Sequence, residues 1–428
     1  MRILIKNGHV IDVASGLDKI CDVMIKDGII SDVCEKIDVK NVEVIDAKGK
    51  YVLPGLVDMH CHLRDPGFEY KEDIESGTKS AALGGFTSIA CMPNTNPIID
   101  NEAIVKYVIN KSKNDGVVNV YPIGAISKGQ KGEELSEIGD LKFAGAIAIS
   151  DDGKPVPGAS LMKKALVYAS MFDMTVISHC EDMDLADEGV MNEGYQSTVL
   201  GLKGIPAAAE EMMVARELIL AEYTKTRVHI AHVSTKLSVE LIRNAKKRGV
   251  NVTCETCPHY FTLTEDACEG FNTLAKVNPP LRTKSDVEAI IKGLKDGTID
   301  AIATDHAPHH ADEKNVEFNN AANGMVGFET AFSLAVTYLL KPKHLTIQQI
   351  TEKMCVNPSK ILGINKGTLD IGKDADVIIV DLDEKRVVDV EKFASKGKNS
   401  PFDKFKLTGT VDATIVGGNI VVREKILM

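Results

Sequence analysis

Residues 53–67 read LPGLVDMHCHLRDPG, an apolar run that stops on His60 and His62 and breaks at Pro66 and Gly67. A short, mostly apolar run that ends on polar residues fits a strand buried on both faces, as in a covered parallel sheet. Seven later runs share the form: FTSIACM, VNVYPIG, GAIAIS, TVISH, VHIAHV, VNVTCE and DAIATD. Amphipathic helical patterns separate them, as at 72–83, 207–222 and 236–248. Eight such strands favour a (β/α)8 barrel, with its chemistry at the C-terminal strand ends. Periodicity alone leaves an open doubly wound sheet as the alternative.

Outward from this core, the first 50 residues hold short β-like runs broken by Gly and Asp: RILIKNGHVID, DVMIKDGIISDV and VEVIDAKGKYVLPG. The pattern returns in GTLDIGKDADVIIVDLD and VDATIVGGNIVVRE. Residues 1–53 and 363–428 are therefore expected to form two halves of one small β-sandwich, appended to a barrel over 54–362. A chain of 428 residues is long enough for that arrangement.

The net charge of -11 disfavours a nucleic-acid or anionic-membrane surface, because both need a positive field. A local arginine or metal could still bind a small anion. No apolar run is long enough for a spanning helix, and MRILIKNGHVIDV lacks a secretory h-region. Nine scattered cysteines argue against a disulfide framework and for a reducing cytoplasm. Cys254 and Cys257 have zinc-site spacing but no second pair, so they read as packed thiols. Cys61, Cys91 and Cys180 read as barrel-wall residues.

Side chains two apart on a strand share a face, so His60 and His62 can both point inward. Alone, such a pair is weak support for a metal. The other strand ends add His179 in TVISHCED, His232 in VHIAHVS, Asp305 in DAIATDHAPHH, and Asp151 and Asp152 in AIAISDDG. Imidazoles and carboxylates suit Zn2+ or a similar divalent ion. There are more of them than one catalytic zinc needs, which points to a two-metal site. His9 and His344 read as surface residues. His229 lies three before His232, and alternation puts it on the outer face. His259 reads as a loop hydrogen-bonding group. His306 and His310 bracket His309, and only one or two of these three can face the pocket.

The motifs GLVDMHCHLRDPG, ACMPNTNP, SDDG, VNPPLR and TDHAPH, with GTLDIGKDADVIIVD, together resemble the amidohydrolase superfamily. Within it they are most similar to the cyclic-amide hydrolases of the bacterial type I dihydroorotase group, over nearly the whole chain. The resemblance implies reversible cyclisation of N-carbamoyl-L-aspartate to (S)-dihydroorotate in pyrimidine biosynthesis. It implies two Zn2+ per subunit: one on His60, His62 and Asp305, the other on His179 and His232, bridged by Asp152 and a hydroxide. Asp305 would serve as general base and then acid. Arg64, Asn94 and His309 would bind the substrate carboxylate beside His62, while Asn278, Asn323 and Gly324 would line the ring. A homodimer and an association with aspartate transcarbamoylase are also implied.

Dihydropyrimidinases, hydantoinases and allantoinases resemble the same scaffold but bridge their metals with a carbamylated lysine on the fourth strand. FAGAIAISDDG has no lysine within its strand, and Lys142 precedes it. A non-catalytic scaffold is the remaining alternative; such proteins typically lose ligands, and this chain keeps them all. The long polar stretch 306–324 is a candidate for a loop that closes over the substrate, by its length and polarity.

Overall fold

The structure, a computed structural model, describes residues 2–428. Eight short buried strands follow one another: β1 (Leu56–Cys61), β2 (Phe86–Cys91), β3 (Asn119–Pro122), β4 (Ala148–Ser150), β5 (Thr175–Ser178), β6 (Val228–Ile230), β7 (Val252–Thr256) and β8 (Ala301–Ile302). β1 to β3 pair in parallel, as do β4 to β8. Parallel bridges from Gly124 to Ile149 and from Cys61 to His306 join the two sets at both edges. The ring therefore closes, and the open-sheet alternative falls away. Val57, Met59, Ala90, Ile123, Ala148, Ile177, Ala231 and Ala303 meet in one cluster, to which Leu362 also belongs. Side chains from nearly every strand can touch only inside such a ring, so the barrel is packed below its mouth.

The intervening helices bury one stripe each. In Lys236–Lys247 the buried Val239, Ile242 and Ala245 recur at helical spacing, and the Thr235 side chain caps the Ser238 N–H at 3.2 Å. No helix among the described residues is long and apolar enough to cross a membrane.

The chain ends build one nine-stranded sheet. Tyr51–Pro54 pairs antiparallel with Val377–Val387, which stitches the first segment to the last. Pairing is mostly antiparallel, but Arg2–Asp12 runs parallel to Glu43–Asp46 and Tyr51–Pro54. Strand alternation divides the burial. Val377 and Ile379 face a core shared with Ile3, Val23 and Ile415, whereas Ile378 and Val380 pack into the barrel cluster. The C-terminal segment is not confined to this sheet. Residues 388–405 leave it and reach the barrel mouth, where Asn399 Nδ2 donates to the carbonyls of Ala307 (2.9 Å) and Gly324 (3.0 Å).

Candidate active site

The C-terminal strand ends converge on one carboxylate. Asp152, just beyond β4, lies 3.3 Å from His60 Nε2, 3.5 Å from His62 Nε2, 3.4 Å from His179 Nδ1 and 3.5 Å from His232 Nε2. Asp305, beyond β8, lies 3.1 Å from His62 Nε2 and 3.6 Å from His60 Nε2. His179 and His232 approach each other to 2.8 Å. Arg64, His232 and Asp305 have φ of 62°, 32° and 46°, a left-handed backbone that costs energy for non-glycine residues and turns each side chain off its strand direction.

These atoms form two overlapping donor sets. Ligand atoms of His60, His62 and Asp305 lie within 4.8 Å of one another, as do those of His60, Asp152 and His232. His60 Nε2 is buried without a hydrogen-bond partner among the described residues, as a nitrogen reserved for a cation would be. Burial opposes ionisation of Asp305, yet the His62 contact and the nearby imidazoles hold it well below the usual carboxylate range. It is thus an ionised, acceptor-ready group.

Above the metal-ligand candidates sits a pocket of about 230 Å3. It suits a single-ring molecule rather than an extended one. Every residue to which the resemblance assigns a metal or substrate role lines it except His60, which is fully buried beneath. Asn94 bridges the floor, facing His62 Nδ1 at 2.9 Å and donating to Asp152 at 3.3 Å. On the rim, Arg64 Nη2 meets His309 Nε2 at 3.2 Å and Arg64 Nε donates to the Pro308 carbonyl at 3.2 Å. Asn278 donates to Glu181 at 2.8 Å. Burial and the Arg64 and Lys71 charges push His309 down to about 3, so its ring is neutral near pH 7.

Asp151 points elsewhere. It accepts the Ile126 and Ser127 N–H groups at 2.8 and 3.1 Å, with the Ser127 hydroxyl as a third donor. His306 is stacked on Phe328 and contacts Glu72 at 3.4 Å, and His310 is an exposed helix cap, so His309 alone of the three reaches the pocket. All nine cysteines are free, and Cys61, Cys91, Cys180, Cys254 and Cys257 are buried.

Two histidine expectations need correction. His229 does not face outward: it is fully buried, 3.3 Å from Glu255, whose other oxygen lies 2.7 Å from His60 Nδ1. The positive φ at His232 ends regular alternation, so counting back from it assigns the wrong face. His259 is not a satisfied loop group. It is buried with Nε2 unpartnered among the described residues, near Asp305 and Cys257. Residues that the sequence reading passed over also touch the site. Glu255 and Glu181 contact His60 and His179, and Glu313 contacts His309 Nδ1 at 3.1 Å. Glu255 ends the run VNVTCE and Glu181 stands two residues beyond His179, whereas Glu313 carried no local signal.

A family model described as dihydro-orotase-like matches residues 49–238. A dihydroorotase of Acetivibrio thermocellus is 74% identical over 99% of this chain and 100% of its own length. One of Geobacter metallireducens is 55% identical over 99% of this chain and 100% of its own. Among solved structures, an L-hydantoinase (dihydropyrimidinase) from Arthrobacter aurescens superposes with a TM-score of 0.90 at 28% identity, over 100% of this chain and 97% of that one.

Proposed function

The chain belongs to the dihydroorotase family, and from that premise we propose that its barrel mouth closes N-carbamoyl-L-aspartate reversibly to (S)-dihydroorotate in pyrimidine biosynthesis. The observation that carries this reading is the Asp152 carboxylate, within 3.5 Å of four imidazoles, in a small pocket rimmed by Arg64. The donor chemistry fits two Zn2+ ions. His60, His62 and Asp305 would hold one and His179 and His232 the other, with Asp152 between them. Bound ions would polarise the ring amide carbonyl and make water a nucleophile near neutral pH.

The chain's own groups supply the rest. Arg64 offers the substrate carboxylate a guanidinium fork, with Asn94 and neutral His309 beside it. Asn278, Asn323 and Gly324 flank the ring. In the ring-opening direction Asp305, ionised and at the floor, takes the proton of the attacking water and returns it to the ring nitrogen, and closure runs the same steps backwards. A hydantoinase-type bridge is disfavoured, since β4 is Ala148–Ser150 and Lys142 lies earlier, in the helix Ile138–Ala144.

Turnover measured with dihydroorotate, dihydrouracil, hydantoin and allantoin tests the reading. A preference for dihydroorotate supports it, and a preference for a ring without a carboxylate overturns it. Metal analysis separates an enzyme from a dead scaffold, which should hold little zinc. The same reading extends to a homodimer and to a complex with aspartate transcarbamoylase. Exposed Val167, Met171, Ile219 and Tyr223, on or beside the helices Ala159–Ser170 and Ala207–Thr224, support the first. Light scattering alone and with the transcarbamoylase tests both.

A further inference from the structure

Two lysines are buried at the pocket's edge, and neither forms an ion pair among the described residues. Lys314 and Lys276 are only 2% and 4% exposed. Lys314 Nζ donates to the carbonyls of Ala322 (2.7 Å), Gly324 (3.1 Å) and Lys276 (3.3 Å). Lys276 Nζ donates to those of Phe318 (2.7 Å) and Asn319 (3.0 Å), while its own carbonyl accepts the Gly324 N–H at 2.9 Å. The amines have exchanged water for backbone carbonyls, four of them in the loop 318–324, and that loop ends in the pocket-lining pair Asn323–Gly324.

Burying a cation is costly even when it is fully hydrogen-bonded, and an apolar side chain of similar size often stabilises as well or better. Burial pushes Lys314 down to about 7 and Lys276 down to about 8, and packing alone gives no reason for two such amines here. What they add is direction. A carbonyl held on Lys314 fixes the plane of its peptide, and the N–H of that trans unit, on Asn323, faces the opposite way. Gly324 has φ of 131°, and a Cβ there would lie 2.7 Å from Ala307 Cβ, so this corner has little freedom to adjust by other means. The Asn323 carbonyl also lies 2.8 Å from His309 Nε2, the nitrogen that meets Arg64. The candidate closing loop is thus tied down from beneath.

We propose that Lys314 and Lys276 are positioning residues for substrate recognition: from beneath the loop they orient the Asn323–Gly324 edge and, through it, His309 beside Arg64. This rests on the reading of the pocket as a dihydroorotate site. The groups that hold the metals and carry the proton are not involved, so the substitution should weaken substrate capture more than chemistry.

The test uses the zinc-loaded full-length protein and its Lys314→Met and Lys314→Gln variants, with kcat, KM and zinc content measured for each. The expected result is a KM for dihydroorotate raised about tenfold or more in Lys314→Met, with kcat within about threefold and zinc unchanged. Lys314→Gln, which keeps two N–H donors, should fall between. A KM within about twofold of wild type, a kcat loss as large as the KM gain, zinc loss, or failure of both variants to fold overturns the proposal. Failure of the underlying reading appears earlier, as a wild type that does not turn over dihydroorotate. The lysines are then tested on whichever cyclic amide the wild type opens, and a wild type that opens none sinks both.

Discussion

The Glu255 carboxylate sits 2.7 Å from His60 Nδ1, and both residues are fully buried. Its second oxygen lies 3.3 Å from His229, so one carboxylate on β7 joins two imidazoles beneath the pocket floor. A carboxylate at Nδ1 fixes the tautomer that leaves Nε2 bare, and Nε2 is the atom aimed at Asp152.

Glu255→Gln should therefore lower zinc affinity about 10- to 100-fold, by losing the charge that orients and polarises His60. Competition with a chelator measures it directly. Affinity equal to wild type would remove Glu255 from this role.

The neighbouring aspartates should separate cleanly. Asp152→Asn should abolish metal retention and turnover while the fold persists, because its contacts are the four imidazoles and Asn94. Asp151→Ala leaves the Ile126 and Ser127 N–H groups buried and unpaired, at a cost of roughly 1–3 kcal/mol each. It should lower the unfolding midpoint yet retain zinc. Zinc loss in the Asp151 variant with retention in the Asp152 variant would reverse the two roles.

Much of this site was legible locally because barrel chemistry gathers at strand ends, where apolar runs stop on His or Asp. His60, His179, His232 and Asp305 all stand at such stops. Alternation also placed His62 beside His60. The same rule failed at His229, since a backbone bend at His232 is invisible in a string of residue types. Glu255 also stands at such a stop, the end of VNVTCE, but nothing in the run tells that it meets His60. Asn399 was out of reach for another reason: it meets the site on a returning segment, a contact that no local pattern encodes. The eight strands were recognised with their ends blurred, as in β8, where only Ala301–Ile302 is regular strand.

Glu329 predicts a pH-dependent stability. Burial pushes its carboxyl up to about 7, against the hydrogen bonds from Ser80 and the Ala394 N–H. With the folded value raised above the unfolded one, the folded protein holds the extra proton between about pH 4.5 and 7. Stability from this group is fully present below that window and is lost as pH rises through it, by up to about 3 kcal/mol. Glu329→Gln should flatten the fall in the urea midpoint between pH 5 and 8 and exceed wild type at the upper end. A slope unchanged by the substitution would assign the pH dependence to other groups.

Arg64 should decide which ring is accepted. Its guanidinium is half-buried at the rim, held by the Pro308 carbonyl and His309 Nε2, with Asp152 and Asp305 contributing a favourable field from below. Since His309 titrates near 3, its ring adds no charge at neutral pH, and Arg64 is the rim cation available to a substrate carboxylate. Arg64→Met removes a charge-assisted contact to the carboxylate but none to the ring amide. The ratio of kcat/KM for dihydroorotate to that for dihydrouracil should then fall about a hundredfold or more. Arg64→Lys should recover only part of it, because an ammonium cannot reproduce the planar fork. An equal loss for both substrates would mean that Arg64 supports the site as a whole, and the choice of substrate would have to rest on the Asn94 and His309 contacts instead.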